Sequence, residues 1–357
     1  LFLAFNLCLS AKSADQTLLF RQKEGRMRIV MMGTGTFAEP TFEALIACFG
    51  RDVVGLVTQP ERDTGNKRGS TRQTGKGMAN IARAANVPVI QPESINTPEG
   101  VTQLRDLKPD LLVVAAYGQI LSREVLTVAT RGTINVHASL LPKYRGAAPV
   151  AYAILAGESQ TGVTIIKVTP GLDSGEMILQ ESLPILPTDT TGTLESRLAT
   201  LGAQMAVTAT QLYATGNAVT GTPQDPALVT RAPKIKKEFG LIDWTKPAEY
   251  IERFVRAMQP WPTAYTFFHR PGKEPLRVIV CRTGRIGRLK GTIAGPPPGT
   301  LHDEDAPTIL VECGDNRDLI EIVELQIAGK KKMTADEFLR GYPLADGVRF
   351  GPQDAKA

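Results

Sequence analysis

Residues 28–50 read RIVMMGTGTFAEPTFEALIACFG. The run RIVMMG is apolar, of strand length, and does not alternate, the pattern of a strand buried on both faces. AEPTFEALIACFG then carries Phe42, Leu45, Ile46 and Phe49 at helical spacing. Between them Gly33, Gly35 and Ala38 fit G-x-G-x-x-G/A, the dinucleotide fingerprint of a first strand–helix turn. That fingerprint wants an acidic residue at the end of the second strand. Here the second strand, VVGLVTQ (53–59), runs into VTQP, and Glu61 and Asp63 come late. The glycines therefore read as a tight strand-to-helix turn, and an NAD(P) oxidoreductase is the rival reading.

Outward from this unit the same alternation continues. A helix is expected near 78–86, a short strand in VPVIQP, a helix in PEGVTQLRDLK, and a strand at 110–118. A short helix in SREVLTVAT, a strand in GTINVHAS, a helix in APVAYAILAG and a strand at 162–169 follow. EMILQESLPI closes the sheet, and a long helix covers about 193–215. Strands alternating with helices specify a Rossmann-like α/β fold, a mainly parallel sheet with helices on both faces. After Gly216 a polar, proline-containing segment, 217–233, reads as a linker. One helix (247–258) and short strands with Gly/Pro-rich connections come next, suggesting a small barrel or sandwich. The domains expected are 27–216, the linker, and 234–351.

With 357 residues, 42% hydrophobic and 22% charged, the chain has material for two cored domains. No apolar run approaches the length of a membrane-spanning helix. Cys8, Cys48, Cys281 and Cys313 are scattered singly and there are only three histidines, which speaks against a disulfide framework and against a metal site. Inert thiols in a reducing, cytoplasmic compartment are the expectation. No heptad or long exposed strand stands out, so a monomer is expected. The net charge of +5 is unevenly spread. Thr58–Arg83 holds six Lys/Arg against two Asp/Glu, and Arg231–His302 fourteen against five. Two separated basic zones suit a polyanionic partner, although either alone would pass as a solvated face. Residues 1–26 contain LFLAFNLCLSA, which resembles a signal-peptide core, but no basic region precedes it and Met27 stands directly before the first strand. They are expected to be a non-native or disordered extension.

The chemistry concentrates in GTINVHASLLP (132–142) and PGLDSGEM (170–177). Asn135 and His137 are i and i+2 on one strand, so they face the same way, roughly 6.5–7 Å apart. Asp173 lies on a turn between Gly171 and Gly175, at the end of what reads as the next parallel strand, within reach of His137. An amide offers a neutral donor to a developing oxyanion, an imidazole moves a proton near neutrality, and a carboxylate orients the imidazole. Ser139 lacks a nucleophile elbow. The trio therefore points to acyl transfer in which the substrate supplies the nucleophile.

These segments resemble the folate-dependent formyltransferase family. INVHASLLPKYRGAAPVAYAILAGESQTGVTI and GLDSGEMI resemble its core; VTQPERDTG, VPVIQP and VVAAYGQIL match in order before them. KIKKEFGLIDWTKPAEYIERFVRAMQPWPTAYT and FLRGYPLADGVRFG resemble the carboxyl-terminal domain of the members that act on tRNA, the methionyl-tRNA formyltransferases. The resemblance implies transfer of a formyl group from 10-formyltetrahydrofolate to the α-amino group of initiator Met-tRNA, with no metal. It gives Asn135, His137 and Asp173 the catalytic roles and makes Ser139, Leu140, Leu141 and Pro142 a folate-contact segment. It makes the stretch holding Arg62, Lys67, Arg68, Arg72 and Lys76 an insertion loop that meets the tRNA. It also implies an OB-like tail barrel that binds tRNA. GTGTFAEP stands where the family more often has GTPxFA, and GNKRGSTRQTGKG lacks the usual Pro-Val-Lys. The rivals are a small-molecule formyltransferase or formyl-folate hydrolase, which would share the trio without needing the basic barrel, and a non-catalytic RNA-binding module.

Overall fold

The computed structural model describes residues 26–60, 75–288, 296–302, 308–314 and 318–354. Strand β1 (Ile29–Gly33) is buried along its whole length, and α1 (Ala38–Phe49) follows it after a tight turn. The turn is close because Gly33 has no Cβ; one would stand 2.7 Å from the Ala38 Cβ and 2.9 Å from the Ala115 carbonyl oxygen. The alternation then runs β2 (Val53–Val57), α2 (Met78–Ala84), β3 (Val89–Ile90), α3 (Pro98–Asp106), β4 (Leu111–Ala115), α4 (Arg123–Leu126) and β5 (Thr133–His137). Side chains cap the starts of α3 and α4: Thr97 accepts from the Gly100 amide, with Pro98 in the first turn, and Ser122 accepts from the Val125 amide. After β6 (Arg145–Gly146) and α5 (Pro149–Ala156) come β7 (Gln160–Lys167), β8 (Met177–Pro184), α6 (Thr191–Ala214) and β9 (Arg231–Ala232).

One seven-stranded sheet has the order β3-β2-β1-β4-β5-β7-β8. The first five strands are parallel. The strand expected to extend the parallel set does not: β7 lies beside β5, as anticipated, but antiparallel, with His137 opposite Thr164 and Ile134 opposite Lys167. The physical reason is the connection. It passes through the two-residue β6 and α5 and leaves the chain at the carboxyl end of β5, where β7 enters and runs back along it. β8 is antiparallel to β7. One face of the sheet builds a core from Val30 and Met32, Leu112 and Val114, closed by Val101 and Leu104 of α3 and Val125 of α4. Each such side chain contributes roughly 1.5–3 kcal/mol on burial. On the other face α6 comes down onto β5 and β7. A Cβ on Gly202 would meet Val136 at 2.8 Å and Val163 at 3.8 Å.

The chain divides into two compact units. The first runs to Val150 and includes Ser159–Ile185 and Gly192–Lys234; the second comprises Ala151–Glu158, Leu186–Thr191 and the chain from Ile235. The second unit holds α7 (Ala248–Ala257), β10 (Ala264–Arg270), β11 (Lys273–Arg288), β12 (Leu301–His302), β13 (Ile309–Cys313), β14 (Asp318–Ile327), β15 (Lys332–Thr334), α8 (Ala335–Gly341) and β16 (Arg349–Gly351). Its sheet is antiparallel, in the order β12-β13-β14-β11-β10-β16, with β15 on β14. A bridge between Thr300 and Arg349 joins the two ends, so the sheet closes into a barrel. Phe268, Phe338 and Phe350 fill it, with Phe268 edge-on to both others. The buried Trp244 indole donates to the Thr266 hydroxyl at 3.0 Å, so its polar edge is satisfied. Of the scattered cysteines, Cys48 and Cys313 are buried and Cys281 is half-buried.

Candidate active site

Alternation along β5 sends Val136 toward α6, so Asn135 and His137 face the other way. They stand where the α3–α4 cover ends, beside Val114, the residue opposite Asn135 on β4. His137 is 5% exposed. The loop after β7 carries Asp173 back to them. Its base is closed by the Lys167 amide donating to the Glu176 carbonyl at 3.0 Å and by an ion pair between the same side chains at 2.7 Å. That ion pair and hydrogen bond hold the Glu176 carboxyl below its usual range. Gly175 is obligatory there, because a Cβ would lie 1.8 Å from the Lys167 carbonyl oxygen.

Asn135, His137 and Asp173 are brought together. The Asp173 Oδ2 accepts from the Gly146 amide at 2.9 Å and lies 3.6 Å from the His137 Nδ1. Its Oδ1 is 3.5 Å from the Asn135 Nδ2, a bond at the outer limit of length. The His137 Nε2 is 3.1 Å from the Tyr144 carbonyl oxygen. A carbonyl only accepts, so Nε2 carries hydrogen and donates. Nδ1 is then the nitrogen open to proton exchange, and it faces the carboxylate. Such an arrangement can donate to a developing oxyanion and pass a proton between ring and carboxylate.

The SLLP segment lies against the same strand. Ser139 and Leu141 are buried: the Ser139 hydroxyl donates to the Lys143 carbonyl at 2.7 Å, and the Leu141 amide donates to Thr164 Oγ1 at 3.1 Å. The Leu141 carbonyl accepts from Gln180 at 2.9 Å. Leu140 and Pro142 are half-buried. Of the basic stretch, Arg62, Lys67, Arg68 and Arg72 lie outside the described residues, as do Glu61 and Asp63. Lys76 is described and exposed, and its ammonium pairs with Glu43 at 2.6 Å. Beside it the buried Glu39 carboxylate accepts from the Lys76 and Gly77 amides at 3.0 and 2.8 Å, anchoring the chain as it enters α2. The position where a dinucleotide enzyme would want an acid holds Gln59, whose amide donates to the Tyr117 carbonyl at 2.9 Å.

Residues that the sequence reading passed over complete the site. Segment 217–233, taken as a linker, is bonded to it. β9 pairs in parallel with β6, and the Tyr144 amide donates to the Thr230 hydroxyl at 2.8 Å. The Gln224 amide nitrogen donates to the carbonyls of Asp173 and Gly175, each at 2.8 Å. Its oxygen accepts from the Arg145 Nε and guanidinium nitrogen at 2.9 and 2.7 Å. A single polar side chain among prolines and acids gives no spacing signal in sequence. Among the described residues no group of His, Cys, Asp and Glu could hold a metal ion, and no helix is long and apolar enough to cross a membrane.

Residues 27–210 match the formyl transferase family, and 234–343 the formyl transferase C-terminal domain. A methionyl-tRNA formyltransferase of Acidithiobacillus ferrooxidans is 44% identical over 327 residues, covering 91% of this chain and 99% of that protein. Those of Citrifermentans bemidjiense and Roseiflexus sp. are 42% and 40% identical, covering 92% of this chain and 98% and 97% of theirs. Among solved structures, an N-formyltransferase from Helicobacter canadensis in complex with folinic acid and dTDP-3-aminofucose superposes with a TM-score of 0.60 at 17% identity, over 83% of this chain and 98% of that one. The sugar 3N-formyl transferase WlaRD gives a TM-score of 0.58 at 18% identity, over 86% and 100%. At such identities the structural likeness speaks to the fold.

Proposed function

The chain belongs to the methionyl-tRNA formyltransferase family, and from that premise we propose how its residues perform the reaction. The enzyme transfers the formyl group of 10-formyltetrahydrofolate to the α-amino group of methionine on initiator Met-tRNA, for translation initiation. Asn135, His137 and Asp173 carry the chemistry. The observation that supports this reading is the Asp173 carboxylate lying 3.6 Å from the one imidazole nitrogen not committed to a backbone carbonyl, with the Asn135 amide on its other oxygen.

The donor, when bound, supplies the formyl carbon that the methionine amine attacks. As the amine adds, negative charge gathers on the formyl oxygen. Asn135 fits that task because its amide nitrogen holds the Asp173 carboxylate only by a long, 3.5 Å bond, which it can give up to turn toward the oxygen. Protonated at Nδ1, His137 donates on that side while Nε2 stays on the Tyr144 carbonyl. Asp173 orients the ring and takes up the amine proton, directly or through a water, so that a proton can pass on to the leaving nitrogen. Leu140 and Pro142 offer apolar surface to the folate, and the buried Ser139 and Leu141 shape the turn that presents them. Arg62, Lys67, Arg68, Arg72 and Lys76, together with the basic segment 234–351, serve the tRNA, and 27–216 is the catalytic domain. The enzyme acts as a monomer in the cytoplasm.

The test is incubation with 10-formyltetrahydrofolate and charged initiator tRNA, with release and detection of formyl-methionine. His137→Ala and Asp173→Asn should each slow turnover by about 10²–10³-fold with melting temperatures near the parent's. Parental turnover in either variant removes the site assignment. Formylation of an amino sugar nucleotide but not of Met-tRNA would favour the small-molecule reading.

A further inference from the structure

The Asp173 loop is held from outside itself. Asp173 has φ +47, the left-handed region that a residue with a Cβ enters at a cost. Such a conformation persists when neighbours fix it. The loop's internal bonds are at its base and across its exposed side, where Thr169 and Ser174 hydroxyls are 3.3 Å apart. The Asp173 peptide itself is gripped by Gln224, fifty-one positions on, whose amide nitrogen bridges the carbonyls of Asp173 and Gly175 at 2.8 Å each.

The orientation of that amide is chemically forced. Two carbonyls can only accept and a guanidinium can only donate, so Nε2 must face the loop and Oε1 must face Arg145. Arg145 in turn sits one residue before Gly146, whose amide binds the Asp173 carboxylate at 2.9 Å. Gln224 thus links the peptide that carries the carboxylate to the strand that receives it. Its neighbours Thr222, Pro223, Asp225 and Pro226 are exposed, whereas Gln224 is half-buried.

We propose that Gln224, oriented by Arg145, is a positioning residue that sets the Asp173 carboxylate against His137. The inference rests on the assignment of Asp173 to the active site. Gln224 touches no reacting atom; it acts through the backbone carbonyls of Asp173 and Gly175. The rival account is that Gln224 merely staples its own segment to the first unit, in which case its removal costs stability alone.

A double-mutant cycle separates the two. Gln224→Glu keeps the length and the acceptor for Arg145 but replaces the double donor by a carboxylate oxygen facing two carbonyls. It should lower kcat by at least about tenfold, with KM for tRNA and for folate changed less than about threefold. In the Asp173→Asn background the same substitution should cost less than about twofold more, because the carboxylate it positions is gone. Should Gln224→Glu fail to fold, as judged by melting, Gln224→Met removes both donors without adding charge and is read in the same cycle. Parental kcat in the folded variant overturns the proposal, and so does an equal loss in both backgrounds. If Asp173→Asn itself turns over at the parental rate, the active-site assignment falls first; if Asp173→Asn is slow and Gln224→Glu is not, only the positioning role falls.

Discussion

Two strand-end connections in the first unit, the turn after β1 and the loop after β7, both contain glycines at points of close approach, and they are built for different ends. The β1 turn closes at its glycine by packing: Gly33 lies against Ala38 and the Ala115 carbonyl, with Met32 and Phe37 buried beside it, while the half-buried Thr34 accepts from the Gln59 amide at 3.3 Å at its rim. The β7 loop is closed by polar contacts: Lys167 to Glu176 at its base, Gln224 across its carbonyls, and Gly146 and His137 at its carboxylate. The first carries the stronger motif in sequence, and the second carries the proposed site. A glycine pattern reports that the backbone must pass closely; it does not report what the passage is for.

Two glycine substitutions sharpen that contrast. Gly175→Ala forces a Cβ to within 1.8 Å of the Lys167 carbonyl and must open the base of the Asp173 loop. Displacing a catalytic carboxylate by an ångström can cost about a hundredfold in rate, so formylation should fall to that extent, beyond what melting accounts for. Parental kcat would mean that the loop tolerates movement. Gly33→Ala strikes Ala38 and Ala115 instead. Overpacking there should cost about 1–3 kcal/mol, seen as a lower denaturant midpoint, while kcat per folded molecule stays at the parental value. Specific loss of kcat would show that the β1 turn, too, shapes the reaction.

The smallest expected effect concerns the core built on β1 and β4. Tyr117 is 2% exposed, burial pushes its phenol up to about 12, and its hydroxyl has no hydrogen-bond partner among the described residues. Removing an unpaired buried hydroxyl relieves a desolvation cost. Tyr117→Phe should therefore stabilise by about 1 kcal/mol, raising the melting temperature by about 2–4 °C, with activity unchanged. A lower melting temperature would show that the hydroxyl has a partner.

Much of this was legible beforehand, for identifiable reasons. Apolar runs such as RIVMMG and DLLVVAAYG are long and uniform enough to mark strands on their own, and PTFEALIACF repeats with the helical period. The Asn135–His137 pairing on one face follows from the two-residue period of any strand. The direction of β7 was misread because an apolar strand looks the same whichever way it runs; the pattern of burial is symmetric and the hydrogen-bond ladder is not. Segment 217–233 looked like a linker because it is rich in polar residues and proline, and one half-buried glutamine does not disturb that impression.

The sequence by itself determined which residues could do the chemistry and which segments would be strands and helices, because residue type and short-range period are local properties. Tertiary structure alone decided that Asp173 returns to His137 from an antiparallel strand, that Tyr144 fixes the imidazole's hydrogen on Nε2, and that Gln224 holds the Asp173 peptide. These and the neighbouring contacts join positions from seven to eighty-six residues apart, among them the Gln224–Asp173 bond and the Tyr144–Thr230 bond. Hydrogen bonds at such separations are set by where the backbone comes to rest, and no periodicity along the chain encodes them.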